Sequence, residues 1–288
     1  ITMLSSCLNT KLNVRPIFVM FAHKYYYEGP CRMAGGDAIQ PGFDPIINGA
    51  MIRGNMEQIE KMMPECVNLL EMKTVECTDD WEVKESYFET LLEGREETDV
   101  YLVNNTFGAD AVFNEFCVRC NKPLVVLPNI WNPAKSGYLY NMGLEVYAEL
   151  DWEDTVKRIK TLAVRKAIAK SNLLLVPRFN YDIPNAGATD TFIDHRAVTE
   201  LMGVHFRTVN LHEIIDYMHP LPEEGNHTTP GRVTNNITED EIKELETMAD
   251  ELINGAQEAE VDRKFVVKSL IANKVIRKVM DDHDCNGG

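Results

Sequence analysis

The sequence has no apolar run near the ~20 residues that would span a bilayer, although 44% of its 288 residues are hydrophobic. It lacks a GxGxxG fingerprint, a Gly-Lys-Ser/Thr phosphate loop and a GxSxG elbow. Those absences argue against fingerprint-type dinucleotide binding, P-loop ATP chemistry and an α/β-hydrolase nucleophile. Basic residues are in the minority, with 29 Lys and Arg against 45 Asp and Glu and a net charge of −16. Such a surface repels phosphate backbones, so nucleic acid is not an expected partner, and neither is a membrane. The seven cysteines follow no regular framework, and an odd, scattered set suits a reducing compartment. No basic start followed by an apolar stretch reads as a secretory leader. The expected location is therefore the cytoplasm, where the sequons at Asn104, Asn226 and Asn236 carry no meaning. The start at Ile1 and the stop at Gly288, straight after a helical pattern, lead us to expect a piece of a longer protein.

Strand and helix patterns alternate from the beginning. Residues 16–22 form a continuous apolar run, as in a strand buried on both faces. The Gly/Pro-rich stretch 28–49 is too long for an ordinary strand-to-helix connection. A helix is predicted over 50–63, with Met51, Ile52, Met56, Ile59 and Met63 on one side and Pro64 at its end. A second strand is predicted over 67–75. Thr78, Asp79 and Asp80 then read as the N-cap of a helix through Leu92, with Trp81, Phe88 and Leu91 facing inward. A strand over 99–103, a helix over 110–119 and a strand over 122–127 follow, and 139–171 reads as helical.

The unit restarts at Asn172. Strands over 172–177 and 204–209 alternate with helices over 190–202 and 211–218, and 220–236 is a polar loop. Two long helices come next, the first opened by Thr238 and Glu241 at capping-box spacing and the second covering 263–280. A further strand is expected where the sequence stops. Strands separated by helix-length crossovers predict parallel sheets. The expected class is α/β, with two consecutive Rossmann-like/flavodoxin-like domains of mainly parallel sheets, the second cut short. The expected boundaries are a disordered or extended segment 1–13, a first domain with connector helix 14–170 and a second domain 171–288.

Ligands of such sheets sit at the carboxyl ends of strands, and that rule selects the candidates. His23 and Lys24 follow the first strand, as a polar rim for a small polyol or as a solvated loop. Asn104 and Asn105 end the third strand and either read sugar hydroxyls or close a turn. Trp131, after the fourth strand, is either a sugar-stacking platform or an anchor at the domain junction. Cys117 and Cys120 have CxxC spacing, yet they lie within a helical pattern with no second pair, which favours a structural role over zinc or redox chemistry. Asp190, Asp194, His195 and Glu200 share one helical stretch, where the helix dipole already explains the carboxylates. The run 281–285 (Asp-Asp-His-Asp-Cys) is rich in ligand types but isolated.

The second unit resembles the L-fucose/L-arabinose isomerase family through Leu173 to Pro177, Asp190 with Leu201, Gly203 and Val204 beyond it, and Val209 followed by Glu213 and Ile214. The first unit is similar to that family through Asp99-Val100, Thr106-Phe107-Gly108 and Lys122 to Val126. Asp284-Cys285-Asn286 is similar to the strand before the family's catalytic segment. The resemblance implies an aldose–ketose isomerase that works through an enediol with a divalent, manganese-type metal. It places the metal ligands C-terminal to this chain, so no catalytic residue is assigned here and no metal is expected on it. It also implies a homo-oligomer in which His23, Lys24 and Trp131 face a neighbouring subunit's site. The stretches 28–49 and from His219-Pro220 onward depart from the family pattern and leave the sugar unspecified. The competing expectation is a two-domain sugar-binding protein of periplasmic type, closing over its ligand without catalysis.

Overall fold

The computed structural model describes residues 9–24, 43–106, 108–128, 132–177, 195–221 and 234–287. Contacts divide the chain into two units, one of Thr10–Val164 and the other carrying Arg165–Gly288.

The first unit is built on β1 (Leu12–Ala22), a strand apolar along most of its length. β2 (Val67–Leu69) and β3 (Lys73–Thr78) both pair with β1 on one side, Leu12 opposite Val67 and Ile17 opposite Lys73. β4 (Val100–Asn105) lies on the other side, followed outward by β5 (Leu124–Val126) and β6 (Val146–Ala148). Every pairing is parallel. With β2 and β3 taken as one interrupted edge, the order is that of a flavodoxin-like sheet, and its switch point falls between β1 and β4.

The crossovers are α1 (Phe43–Met62), α2 (Glu85–Leu91), α3 (Asp110–Cys120) and α4 (Asn132–Asn141). α5 (Trp152–Ala169) follows β6. Helices cover both faces of the sheet. Ile17, Val19, Tyr101, Val103 and Val126 pack against Phe88 and Leu91 of α2 and Phe113 and Phe116 of α3. Val14, Phe18, Met20, Leu102 and Val125 face Ile59 of α1 and Ile159 and Leu162 of α5. Neighbours along β1 thus serve opposite cores, which is why the strand reads as an unbroken apolar run rather than an alternating one.

Several predicted bounds change. β1 begins at Leu12, so the expected extended segment 1–13 is shorter, and residues 1–8 lie outside the described residues. The single second strand is two, broken at residues 70–72, and the Glu71 carbonyl at the break accepts from Arg15 Nη1 at 2.8 Å. The helix after it starts at Glu85 rather than at Thr78, which is instead the last residue of β3. β6 sits inside the stretch expected to be helical; at three residues it is too short to set a period.

The second unit has β7 (Asn172–Leu175) parallel to β8 (His205–Thr208), with Asn172 opposite His205. α6 (His195–Met202) and α7 (Leu211–Tyr217) flank β8 in sequence. α8 (Glu239–Gly255) carries the predicted capping box: Thr238 N–H donates to Glu241 Oε2 at 2.9 Å, and Glu241 N–H to Thr238 Oγ1 at 3.2 Å. α9 (Arg263–Asp282) follows. Leu174, Val209, Ile214, Leu245, Val275 and Val279 form this unit's core. Beside β7, Gly287 makes a parallel bridge to Leu173, and Leu174 N–H donates to the Gly287 carbonyl at 2.7 Å. A third strand position therefore exists where the sequence pattern places one.

Candidate functional site

The carboxyl ends of β3, β1 and β4 lie side by side, and the polar residues that follow them form one rim. β1 and β4 stay paired to their ends because Thr106 extends the ladder. Its N–H donates to the Val19 carbonyl at 3.0 Å, and its hydroxyl accepts from Phe21 N–H at 2.6 Å. His23 leaves the sheet beyond this clasp. Asp44, in the first turn of α1, accepts from His23 N–H at 2.7 Å and lies 2.7 Å from His23 Nδ1. With Nδ1–H donated to the carboxylate, the neutral imidazole carries its lone pair on Nε2. Asn48, one turn further along α1 and buried, donates to the Phe21 carbonyl at 2.9 Å.

The β3 end supplies the second cluster. Lys24 N–H donates to Oδ1 of the buried Asp79 at 2.9 Å, and Lys24 Nζ stands 3.9 Å from Asp80 Oδ2. Asp80 also accepts from Lys84 Nζ at 3.3 Å and from Glu82 N–H at 3.2 Å. The Glu82 amide first, with Lys84 adding to it, holds the Asp80 carboxyl below the usual carboxylate range, and Asp80 raises Lys84 in return.

Trp81 closes this turn, its N–H donating to the Thr78 carbonyl at 3.1 Å, with φ 58°, in the left-handed region that a bulky residue rarely adopts. Its indole stacks on Phe21 with centroids 5.5 Å apart and planes 27° apart, and the side chain is still 67% exposed. Phe21 in turn meets His23 edge-on at 5.1 Å. From the β4 side Gly108, at φ 96°, approaches so closely that a Cβ there would lie 2.9 Å from Phe21 Cγ. Only glycine fits both that conformation and that gap.

The structure sorts the sequence candidates. His23 and Lys24 both reach the rim, each fixed by a carboxylate from a different element. Asn105 Nδ2 donates to Asp110 Oδ1 at 3.0 Å and to the Thr106 carbonyl at 3.3 Å, which closes the turn into α3. Asn104 lies within β4 opposite Phe18 and is nearly buried, so it belongs to the strand and not to the rim. Trp131, Asp190 and Asp194 lie outside the described residues. His195 stacks on Phe206 within the second unit, and Glu200 pairs with Arg196. Cys117 and Cys120 are buried in the α2/α3 core, and desolvation pushes both thiols up, Cys120 to about 11. They sit near the C-terminal end of α3, where the dipole gives a thiolate no help, so the pair is structural. The 281–285 run is a helix end, with Cys285 buried and its N–H on the Met280 carbonyl.

Asp44, Asn48, Asp79, Asp80 and Trp81 were not among the sequence's site candidates: Asp79 and Asp80 read as a helix N-cap and Trp81 as a core residue, and only the extension of β3 to Thr78 puts all three directly after a strand. Among the described residues, no three His, Cys, Asp or Glu side chains group as a metal site, and no helix is long and apolar enough to cross a membrane.

No protein-family model matches the chain, and no curated protein does. Among solved structures, an ABC transporter from Rhodopseudomonas palustris is similar at 11% identity, with 93% of this chain and 87% of that one covered. Its TM-score is 0.24, too low to support any argument about fold or function.

Proposed function

We propose that the carboxyl edge of the first unit binds a small neutral sugar or polyol. On this reading the chain contributes that rim, together with its α/β scaffold, to a cytoplasmic, homo-oligomeric aldose–ketose isomerase of the L-fucose/L-arabinose type. The observation that carries the reading is the alternation of donors and carboxylates around adjacent strand ends: His23 with Asp44, Lys24 with Asp79 and Asp80, and Asn105 with Asp110. Each sugar hydroxyl both donates and accepts, so such a rim suits it. A phosphorylated sugar is disfavoured, because Asp44, Asp79, Asp80 and Asp110 would face its charge at close range.

The isomerase step calls for a hard divalent ion to polarise the carbonyl and hydroxyl oxygens as the proton moves between carbons. The described residues do not fit that role. His23 and Asp44 are bonded to each other, Asp79 holds the Lys24 amide, and Asp80 holds Lys84. The reading therefore assigns the ion to residues other than these, and the family resemblance implies ligands C-terminal to this segment.

Calorimetric titration with L-arabinose, L-fucose and ribitol, against arabinose 5-phosphate, tests the proposal. Neutral compounds should bind and the phosphate should bind at least tenfold more weakly. Tighter binding of the phosphate, or no binding of any neutral compound, would sink it. The chain alone with manganese should not turn over any of these aldoses, and turnover would relocate the catalytic centre into this segment. Binding in the complete protein without turnover there would favour the periplasmic-type alternative.

A further inference from the structure

We infer that Trp81 is the surface against which the ligand's apolar face lies, and this inference rests on the sugar-binding reading of the rim. Three observations converge on it. The first is exposure: the largest side chain available to a protein is 67% exposed at a strand's carboxyl end, where burial would be the ordinary use of an indole. The second is fixation. One face of the indole stacks on Phe21 at 5.5 Å, and Phe21 is itself confined by the close approach of Gly108. The ring is thus oriented before any ligand arrives, which lowers the ordering cost of binding. The third is strain. A left-handed φ of 58° at a bulky residue opposes folding, and such strain collects where a side chain's position serves a purpose beyond stability.

The chemistry around the indole identifies the occupant. Asp80 precedes it and Glu82 follows it; Lys84 pairs with both carboxylates, at 3.3 and 3.5 Å, and Lys24 Nζ is 3.9 Å from Asp80 Oδ2. His23 meets the same Phe21 ring edge-on. An exposed indole next in sequence to two carboxylates that share Lys84, stacked on a Phe21 ring that also meets His23, suits a sugar ring, which has a C–H face and a rim of hydroxyls. A purely apolar ligand would displace water from those polar groups without replacing its hydrogen bonds, and a flat protein partner would need a far larger apolar area than one indole.

The test is made on the unaltered protein, which keeps Trp131, itself a candidate platform, and Trp152. L-Arabinose and L-fucose are titrated against this protein and against its Trp81→Phe, Trp81→Ala and Trp81→Gly variants, with affinity read by calorimetry and by saturation-transfer NMR. We expect an emission change on binding that Trp81→Phe abolishes, a loss of about tenfold in affinity for Trp81→Ala, in line with one aromatic contact, and a smaller loss for Trp81→Phe. Trp81→Gly should melt no lower than its parent, since glycine relieves the left-handed strain, while its affinity falls as far as that of Trp81→Ala. Equal affinity of Trp81→Ala and parent overturns the inference and leaves the sugar-binding reading standing. Absence of binding by the unaltered protein overturns both. A change in oligomeric mass on Trp81→Ala, with sugar affinity unchanged, assigns the indole to a subunit contact and also overturns the inference.

Discussion

Replacing Arg15 by Met should cost the first unit about 2–3 kcal/mol, a large effect for a residue at the end of the sheet away from the rim. Arg15 sits in β1, the strand beside the interrupted edge, with only 2% of its side chain exposed. Its Nε donates to Thr98 Oγ1 at 3.0 Å, its Nη1 to the Glu71 carbonyl at 2.8 Å, and its Nη2 to Glu97 Oε1 at 2.5 Å. The Glu71 carbonyl lies in the break between β2 and β3, so the guanidinium takes the place of a missing ladder partner. Methionine keeps the apolar stem but strips the Glu71 carbonyl and the Thr98 hydroxyl of their donor. Thr98 is fully buried and the Glu71 carbonyl partly so, and stripping such acceptors costs about 1–3 kcal/mol. Relief of guanidinium desolvation offsets part of that, and the Thr98 hydroxyl still donates to the Gly94 carbonyl.

Glu97→Gln provides the control. The Glu97 side chain is 60% exposed, so water can replace its partner and the loss should stay within about 1 kcal/mol. All three tryptophans fall within Thr10–Val164, so urea unfolding followed by tryptophan emission reports this unit alone. For a unit of this size the expected drop in Tm for Arg15→Met is about 5–10 °C. Equal midpoints for the two variants would refute the view that the break in the edge strand, and not the ion pair, is what Arg15 stabilises.

Two further predictions follow from the same geometry. Gly108→Ala combines a forbidden φ with a contact of 2.9 Å to Phe21; it should destabilise the unit by about 1–3 kcal/mol and shift Trp81 emission, and a neutral substitution would contradict the packing described. Burial pushes the Cys77 and Cys120 thiols from 9.0 up to about 11. A raised folded-state pKa means the stabilisation is complete below pH 9 and is lost as pH rises through about 11, at up to roughly 1.4 kcal/mol per pH unit for each thiol. Urea midpoints of parent and Cys120→Ala should therefore converge between pH 9 and 11, and parallel pH profiles would show that the thiol is not held protonated by the core.

How much of this was legible in the sequence depends on which physical signal each element leaves. β1 was readable because burial on both faces demands an unbroken apolar run, and the capping box of α8 because its two side chains act only at that spacing. β6 left no period to read. The break between β2 and β3 was hidden because it depends on Arg15, a residue 56 positions away that local pattern cannot connect to Glu71. The rim was half legible. His23 and Lys24 followed from the strand-end rule, whereas Asp44 reaches the site only because α1 folds back from beyond the long stretch after β1.

Trp81 is the most instructive case, since Thr78-Asp79-Asp80 has the composition of an N-cap and invites an inward-facing Trp three residues into a helix. The parallel register with β1 decides otherwise. β3 runs as far as Thr78, opposite Ala22, and those hydrogen bonds keep Thr78 in the strand. The turn that follows must then absorb the change of direction before α2 begins at Glu85. Strand pairing beyond the reach of local propensity thus turns a predicted core residue into an exposed one. It also brings three aspartate and tryptophan positions (Asp79, Asp80 and Trp81) to the edge where ligands of such sheets bind.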